Sequence, residues 1–331
     1  MKIKEAVGID VGKLTNEARV HTTGACRAFS NSQEGYRQLL RWAHQSASCA
    51  PNQILFALEH TGIYSYPLAT FLEQQGQPFV LLAGLELKRS LGIQRGKNDQ
   101  VDARRIALYA YQRRDALQPT KLPTASVAAI KRLLSLRDRL LSHRNGYGHN
   151  LKENGQFLPR EGNEALFEVQ EHMRREIDTQ LAAVDRSLDR LVAEDPELRE
   201  LAELITSVKG VGRVTALFLI AYTSAFTLFA SWRKLASYAG TAPFPFQSGI
   251  SIRGRTRVSH LANKRLKVVL NMCAISAVQH NAELKAYYHR RVAEGKNGMC
   301  AINIVRNKLL ARIFAVVNRR TPYVDTFKFA A

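Results

Sequence analysis

Asp10 ends the apolar run "AVGID", Glu59 ends "ILFALE", and Asp99 and Asp102 stand three apart in "KNDQVDARR". Acids at the ends of two strands converge when those strands are neighbours in one sheet, and acids at i and i+3 share a helix face. Four carboxylates so placed can hold two divalent cations about 4 Å apart, the arrangement that clamps the attacking and leaving oxygens of a phosphodiester. Hard oxygen donors favour Mg²⁺ or Mn²⁺ over zinc, and no His or Cys stands at matched spacing nearby. Taken singly, each acid fits equally well as the partner of a surface cation such as Lys97, Arg104 or Arg105; taken together, the pattern favours metal. "GIDVGKLT" also has the look of the Asp-x-Gly-x-Thr phosphate loop of sugar-kinase and actin-like ATPases. Those proteins need a second such loop and a glycine-rich adenosine site, and the sequence offers neither.

The charge balance says what such a site acts on. Lys and Arg number 48 against 28 acids, a formal charge of +20, so a polyanion is the economical partner. Between Trp232 and Arg320 there are 17 basic residues and 2 acids, Glu283 and Glu294, which marks the last quarter as a phosphate-binding surface. "ITSVKGVGRVTALFLIAY" is similar to the second half of a helix-hairpin-helix, where a Gly-x-Gly turn brings backbone N–H groups to a phosphate. Lys209, Gly210, Gly212 and Arg213 carry that reading; a capping turn before a buried helix is the plainer one. The segment 240–260 is too rich in Pro, Gly and Ser for a continuous helix and reads as a basic loop with Arg253, Arg255 and Arg257. Tyr238, Phe244 and Phe246 beside it suit base stacking or simple anchoring of the loop.

The elements that must position these residues follow from periodicity. Residues 6–12 read as a strand and 16–30 as a hairpin turning near Thr23–Gly24; a helix, a strand over 52–62, a helix, a strand over 78–83 and a helix from about Asp99 to Arg113 follow. Three strands and then strands alternating with helices predict a mixed α/β sheet. From about Ala125 to Glu203, Leu, Ile and Val recur at three- and four-residue spacing amid charges. That is the pattern of a long antiparallel helical hairpin or coiled coil, with its tip at "GQFLPREGN" and its helices packed within the chain or against a second copy. The longest apolar run, "VTALFLIAY", is about half of what a membrane span needs, and the first residues enter a strand directly, so a soluble cytoplasmic protein is expected. Cys26, Cys49, Cys273 and Cys300 form no C-x-x-C pair and are expected as buried, reduced thiols.

Six blocks, "GIDVGK", "LEHTGIY", "KNDQVDARRIA", "VKGVGRVTA", "YAGTAPFPFQSGISIRG" and "LANKRLKVVL", occur in this order along nearly the whole chain. In that combination the chain resembles the DEDD insertion-sequence transposases related to the Piv invertase, a family that includes the bridge-RNA-guided recombinases. The resemblance implies α/β plus all-α architecture: an RNase H/RuvC-like domain over 1–120, a coiled-coil arm over 121–204, and a mainly helical transposase domain over 205–331. It assigns Asp10, Glu59, Asp99 and Asp102 to a Mg²⁺ (or Mn²⁺) site and Ser248 to a nucleophile, a choice that Ser251 and Ser259 would rival on the residues alone. Lys264 and Arg265, in the last block, join the nucleic-acid-binding set. The implied reaction is strand cleavage and exchange through a covalent phosphoserine link, with DNA ends and target as substrates. The resemblance also implies an element-encoded guide RNA, a homodimer or tetramer with a composite site, and location at a bacterial or archaeal nucleoid. A RuvC-like endonuclease using water as nucleophile is the alternative.

Overall fold

The structure is a computed structural model that describes residues 2–90, 98–249 and 251–325. It divides into two compact units, Met1–Leu122 and Pro123–Ala331.

In the first unit, β1 (Glu5–Val11), β2 (Thr15–Val20) and β3 (Cys26–Ser30) form an antiparallel meander, with Gly24 at φ +74° in the second turn. Helix α1 (Gln33–Ser46) then carries the chain back so that β4 (Ile54–Glu59) pairs parallel to β1, a connection too long for a tight hairpin. Helix α2 (Tyr66–Gln74) leads to β5 (Phe79–Leu82), which pairs parallel to β4, and α3 (Gly84–Ser90) and α4 (Asp99–Gln112) complete the unit. The sheet order is β3-β2-β1-β4-β5, the mixed α/β sheet expected of an RNase H-like transposase domain.

Strand alternation sorts the two faces. Val7, Ile9, Phe56 and Leu58 pack with Tyr36, Leu39 and Leu68 of α1 and α2. Ala6, Leu55 and Ala57 face the other way, onto Ile106, Tyr109 and Ala110 of α4. Both faces of β1 and β4 are therefore covered, which is why these strands read as nearly continuous apolar runs. The expected strands and helices all appear, and α3, which the sequence reading does not anticipate, is a short seven-residue helix.

In the second unit, α5 (Ala125–Phe157) and α6 (Glu164–Glu194) form the long antiparallel hairpin; at 33 residues, α5 is about 50 Å long. The Thr124 side chain accepts from the Val127 N–H to start it, and the pairs Arg137–Asp185 and Arg144–Asp178 fix the antiparallel register. The turn between the helices falls within the expected tip. Helices α7 (Pro196–Ser207), α8 (Arg213–Thr223) and α9 (Trp232–Tyr238) follow, then β6 (Pro243–Ser248) and β7 (Ile252–Val258), and finally α10 (Lys264–His280), α11 (Ala282–Ala293) and α12 (Gly298–Arg319). Val127, Ile130, Leu134 and Leu188 at the base of the arm share one core with Leu217, Leu270 and Leu310. The arm and the region beyond residue 204 are thus joined through a common interior.

Most of 240–260, read above as a loop, is a two-stranded antiparallel ribbon. Pro243 and Pro245 are tolerated because both strands of such a ribbon are edges. Cys273 is buried and Cys26 and Cys49 are part-buried, with thiols pushed up in pKa by burial. Cys300 departs from the expectation of buried thiols: it lies in the first turn of α12 and is exposed. Among the described residues no helix is long and apolar enough to cross a membrane.

Candidate active site and nucleic-acid interface

Parallel pairing of β1 with β4 matches Gly8 to Ala57 and Ile9 to Leu58, so the next step of the register sets Asp10 beside Glu59. By alternation Asp10 falls on the face of Ala6 and Gly8, and Glu59 on the face of Leu55 and Ala57; both are on the face that α4 covers.

The direction of α4 decides where its own acids go. A Cβ on Gly8 would stand 2.2 Å from the Ala107 N and 2.4 Å from the Ala103 O, so the helix backbone lies directly on β1 there. At the helix's other end, Tyr111 stacks on His21 with 4.2 Å between ring centroids, and His21 donates its backbone N–H to the Ala6 carbonyl. Helix α4 therefore runs against β1, and its N-terminus lies at the C-terminal ends of β1 and β4. Asn98 caps it by accepting from the Gln100 N–H, which places Asp99 and Asp102 in the first turn, where the helix dipole also favours acids. All four acids thus belong to one edge of the sheet.

Two of the side chains are turned to nearer neighbours. Asp102 Oδ1 accepts from Arg105 NH1 at 2.7 Å, and the Glu59 carboxylate lies against the Cα of Gly84, filling the space a side chain there would need. Asp99 is exposed, and Asp10 is part-buried. Of the other cations considered for these acids, Arg104 is exposed and Lys97 lies outside the described residues. No group of three or more His, Cys, Asp or Glu among the described residues is close enough to hold a metal ion. The donor chemistry and the shared edge nonetheless suit a hard divalent cation; holding one requires Asp102 to exchange Arg105 for it.

Ser248 ends β6 opposite Ile252, and the turn beyond it uses Gly249 at φ +58°. The residue is exposed, as are Arg253, Arg255 and Arg257 on β7 and Lys264 at the start of α10. Arg253 faces Gln247 and Arg257 faces Phe244 across the ribbon.

The remaining cations of the set have partners inside the unit. Lys209 pairs with Asp325 at 3.0 Å. Arg213 reaches Asp189 at 2.5 Å and donates to the Asp185 carbonyl at 2.8 Å, tying α8 to α6. Arg265 binds Asp138 and covers the Phe218 ring at 5.0 Å. Gly210, at φ +91°, lies where a Cβ would meet the Cβ of Ala277 at 2.5 Å, so the turn packs tightly on α10. Gly212 caps α8 with open space beside it. Tyr238 is an anchor: its OH accepts from Asn263 Nδ2 at 3.1 Å, and its ring packs on Phe229.

Arg213 separates a structural role from a phosphate-binding one. Arg213→Ala is expected to lower the stability of the second unit by about 1 kcal/mol, the size of a half-exposed charged pair. The salt dependence of DNA binding should stay unchanged. A thermal melt and a binding titration against salt check both; a slope lower by about one ion would make Arg213 a phosphate contact instead.

Comparison with known proteins gives a consistent result for both units. Residues 7–153 match the DEDD family model of the IS110 type, described as "Transposase", and residues 202–289 match the "Transposase IS116/IS110/IS902 family". The pilin gene-inverting proteins of Moraxella bovis and Moraxella lacunata are each 27% identical over 332 residues, covering 97% of this chain and 98% of theirs. An uncharacterized 43.6 kDa protein of insertion element IS110 from Streptomyces coelicolor is 30% identical over 138 residues, 42% of this chain and 34% of that protein.

Proposed function

The chain belongs to the IS110-type transposases, DNA-recombining enzymes, and from that premise we propose that it cuts and rejoins DNA strands through a phosphoserine link made by Ser248. In this reading the Ser248 Oγ attacks a phosphodiester phosphorus: the O–P bond to serine forms, the bond to a 3′ or 5′ oxygen breaks, and the proton lost by serine is made good on the leaving hydroxyl. The hydroxyl of another strand then reverses the attack. Phosphate ester bonds are conserved in number, so strand exchange needs no external energy.

Arg253, Arg255 and Arg257, on the strand that pairs with that of Ser248, supply positive charge where negative charge accumulates on the phosphate. Asp10, Glu59, Asp99 and Asp102 are the residues that would hold Mg²⁺ or Mn²⁺, once Asp102 gives up Arg105. The metal, when bound, supplies Lewis-acid stabilisation of a phosphoryl oxygen. What supports this assignment most is the register of β1 and β4 beneath α4, which gives four acids from three segments a common sheet edge. Choice of DNA site falls to a guide RNA, which leaves the protein to bind backbone and shape through its +20 charge. A homo-oligomer, a dimer or tetramer, brings the DNA ends and target together. By analogy with the pilin gene-inverting relatives, inversion of a DNA segment is one outcome available to such an enzyme.

The test is a labelled plasmid carrying the element ends, incubated with protein and Mg²⁺ and stopped in SDS. The expected result is label that migrates with the protein and is released by protease. Cleaved DNA with no protein attached overturns the serine route.

A further inference from the structure

Directly opposed residues of an antiparallel ribbon point to the same face. The pairs Ser248–Ile252, Phe246–Gly254 and Phe244–Arg257 therefore put Ser248, both phenylalanines and Arg257 on one face, with a bulge on β7 between Gly254 and Arg257. Phe246 is 66% exposed and Phe244 45%, although both are large apolar side chains next to a hydroxyl and three arginines. The Phe246 ring lies across Gly254: a Cβ there would come within 2.9 Å of the ring. Between the ribbon, the end of α9 and residues 259–261 runs a groove of about 680 Å³, lined by Phe244, Phe246, Arg255 and Arg257 among others. That volume falls in the range of small-ligand sites, about 300–1,000 Å³.

Aromatic faces with arginines beside them suit one chemistry above others: an unpaired base stacked on the ring and its phosphate held by guanidinium groups. We propose that this groove receives an unpaired nucleotide next to the scissile phosphate, its base on Phe246 and Phe244 and its phosphate on Arg257 and Arg255. The inference deepens the strand-exchange reading, since a hydroxyl can reach a phosphate more readily in a strand that has left the duplex. It is tested by binding alone, without cleavage, so it can fail while the serine route stands.

The experiment measures anisotropy of labelled single-stranded DNA, single-stranded RNA of the same sequence, and the DNA duplex, all with full-length protein in EDTA. Phe246→Leu keeps bulk and loses the stacking face. It should weaken binding of a single strand about tenfold, the size of one base–aromatic stack, and leave the duplex within twofold. Phe246→Trp should restore single-strand binding, and Arg257→Gln should lower the salt slope by about one. Loss with the DNA strand is the expected result; loss with the RNA strand alone would put the nucleotide on RNA, away from the scissile phosphate, and would overturn the proposal. Unchanged single-strand binding in Phe246→Leu, equal loss on the duplex, or a change of oligomeric state in place of the loss would overturn the proposal; the first would mean that the ring only covers Gly254, and the last that it is a protein contact.

Discussion

Ser248→Ala is expected to abolish the covalent protein–DNA product and strand exchange, by about 10⁴-fold or more, while DNA binding and the fold survive. The size follows from what is removed: deleting a nucleophile leaves only binding and electrostatic assistance, and a serine protease loses about 10⁶ in turnover by the same change. The tolerance of the fold follows from position. Ser248 is the last residue of an edge strand, exposed, and followed by a glycine that makes the turn, so loss of its hydroxyl should change stability by no more than about 0.5 kcal/mol. Ser251→Ala is the matched control, across the same turn and also exposed, and should behave as wild type. Electrophoresis of labelled DNA under denaturing conditions reads the outcome. If free nicked ends persist undiminished in Ser248→Ala, water is the nucleophile and the chain is a hydrolytic nuclease; if the adduct persists, another residue makes the link.

Much of the first unit is legible from the sequence because its strands are buried on both faces and its acids stand at their ends. "AVGID" and "ILFALE" announce both the strand and the residue that leaves it, and the i, i+3 spacing of Asp99 and Asp102 needs only a helix to have meaning. Sequence does not show where α4 rests on the sheet. That depends on Gly8 accepting the backbone of Ala103 and Ala107, a close approach that carries no periodic signal. In the second unit the sequence shows positive charge without its partners. Arg213 and Arg265 look like phosphate ligands beside a glycine turn and a basic helix start, yet their acids, Asp189 and Asp138, lie on the arm helices far away in the chain. The ribbon that holds Ser248 is hidden for another reason. Two prolines and a bulge erase strand alternation, and only the paired backbone shows that Phe244, Phe246 and Ser248 share a face.

Gly8→Ala is the substitution expected to cost the first unit most. Gly8 is buried mid-strand, where any residue could adopt the backbone, so its need is for space rather than for conformational freedom. The added methyl would stand 2.2 Å from one backbone atom of α4, 2.4 Å from a second and 2.7 Å from a third. Because all three are main-chain atoms, no rotamer change and no truncation at Ala103 or Ala107 relieves the overlap; the helix must move off the sheet. Overpacking of a core costs about 1–3 kcal/mol, and a clash with backbone belongs at or above the upper end. At about 4–8 °C per kcal/mol for a unit of this size, the melt should fall by 10–20 °C. Trp42 packs in this unit's core and Trp232 lies in the other unit, so Trp42 fluorescence in a Trp232→Phe background follows the first unit alone. Gly146→Ala, in α5 with open space around it, is the opposite case and should gain about 0.5–1 kcal/mol from helix propensity. A first unit that melts within 2 °C of wild type in Gly8→Ala would mean that α4 does not rest on β1. The common edge for Asp99, Asp102, Asp10 and Glu59 would go with it, because the lateral position of the helix is what brings its first turn to the strand ends.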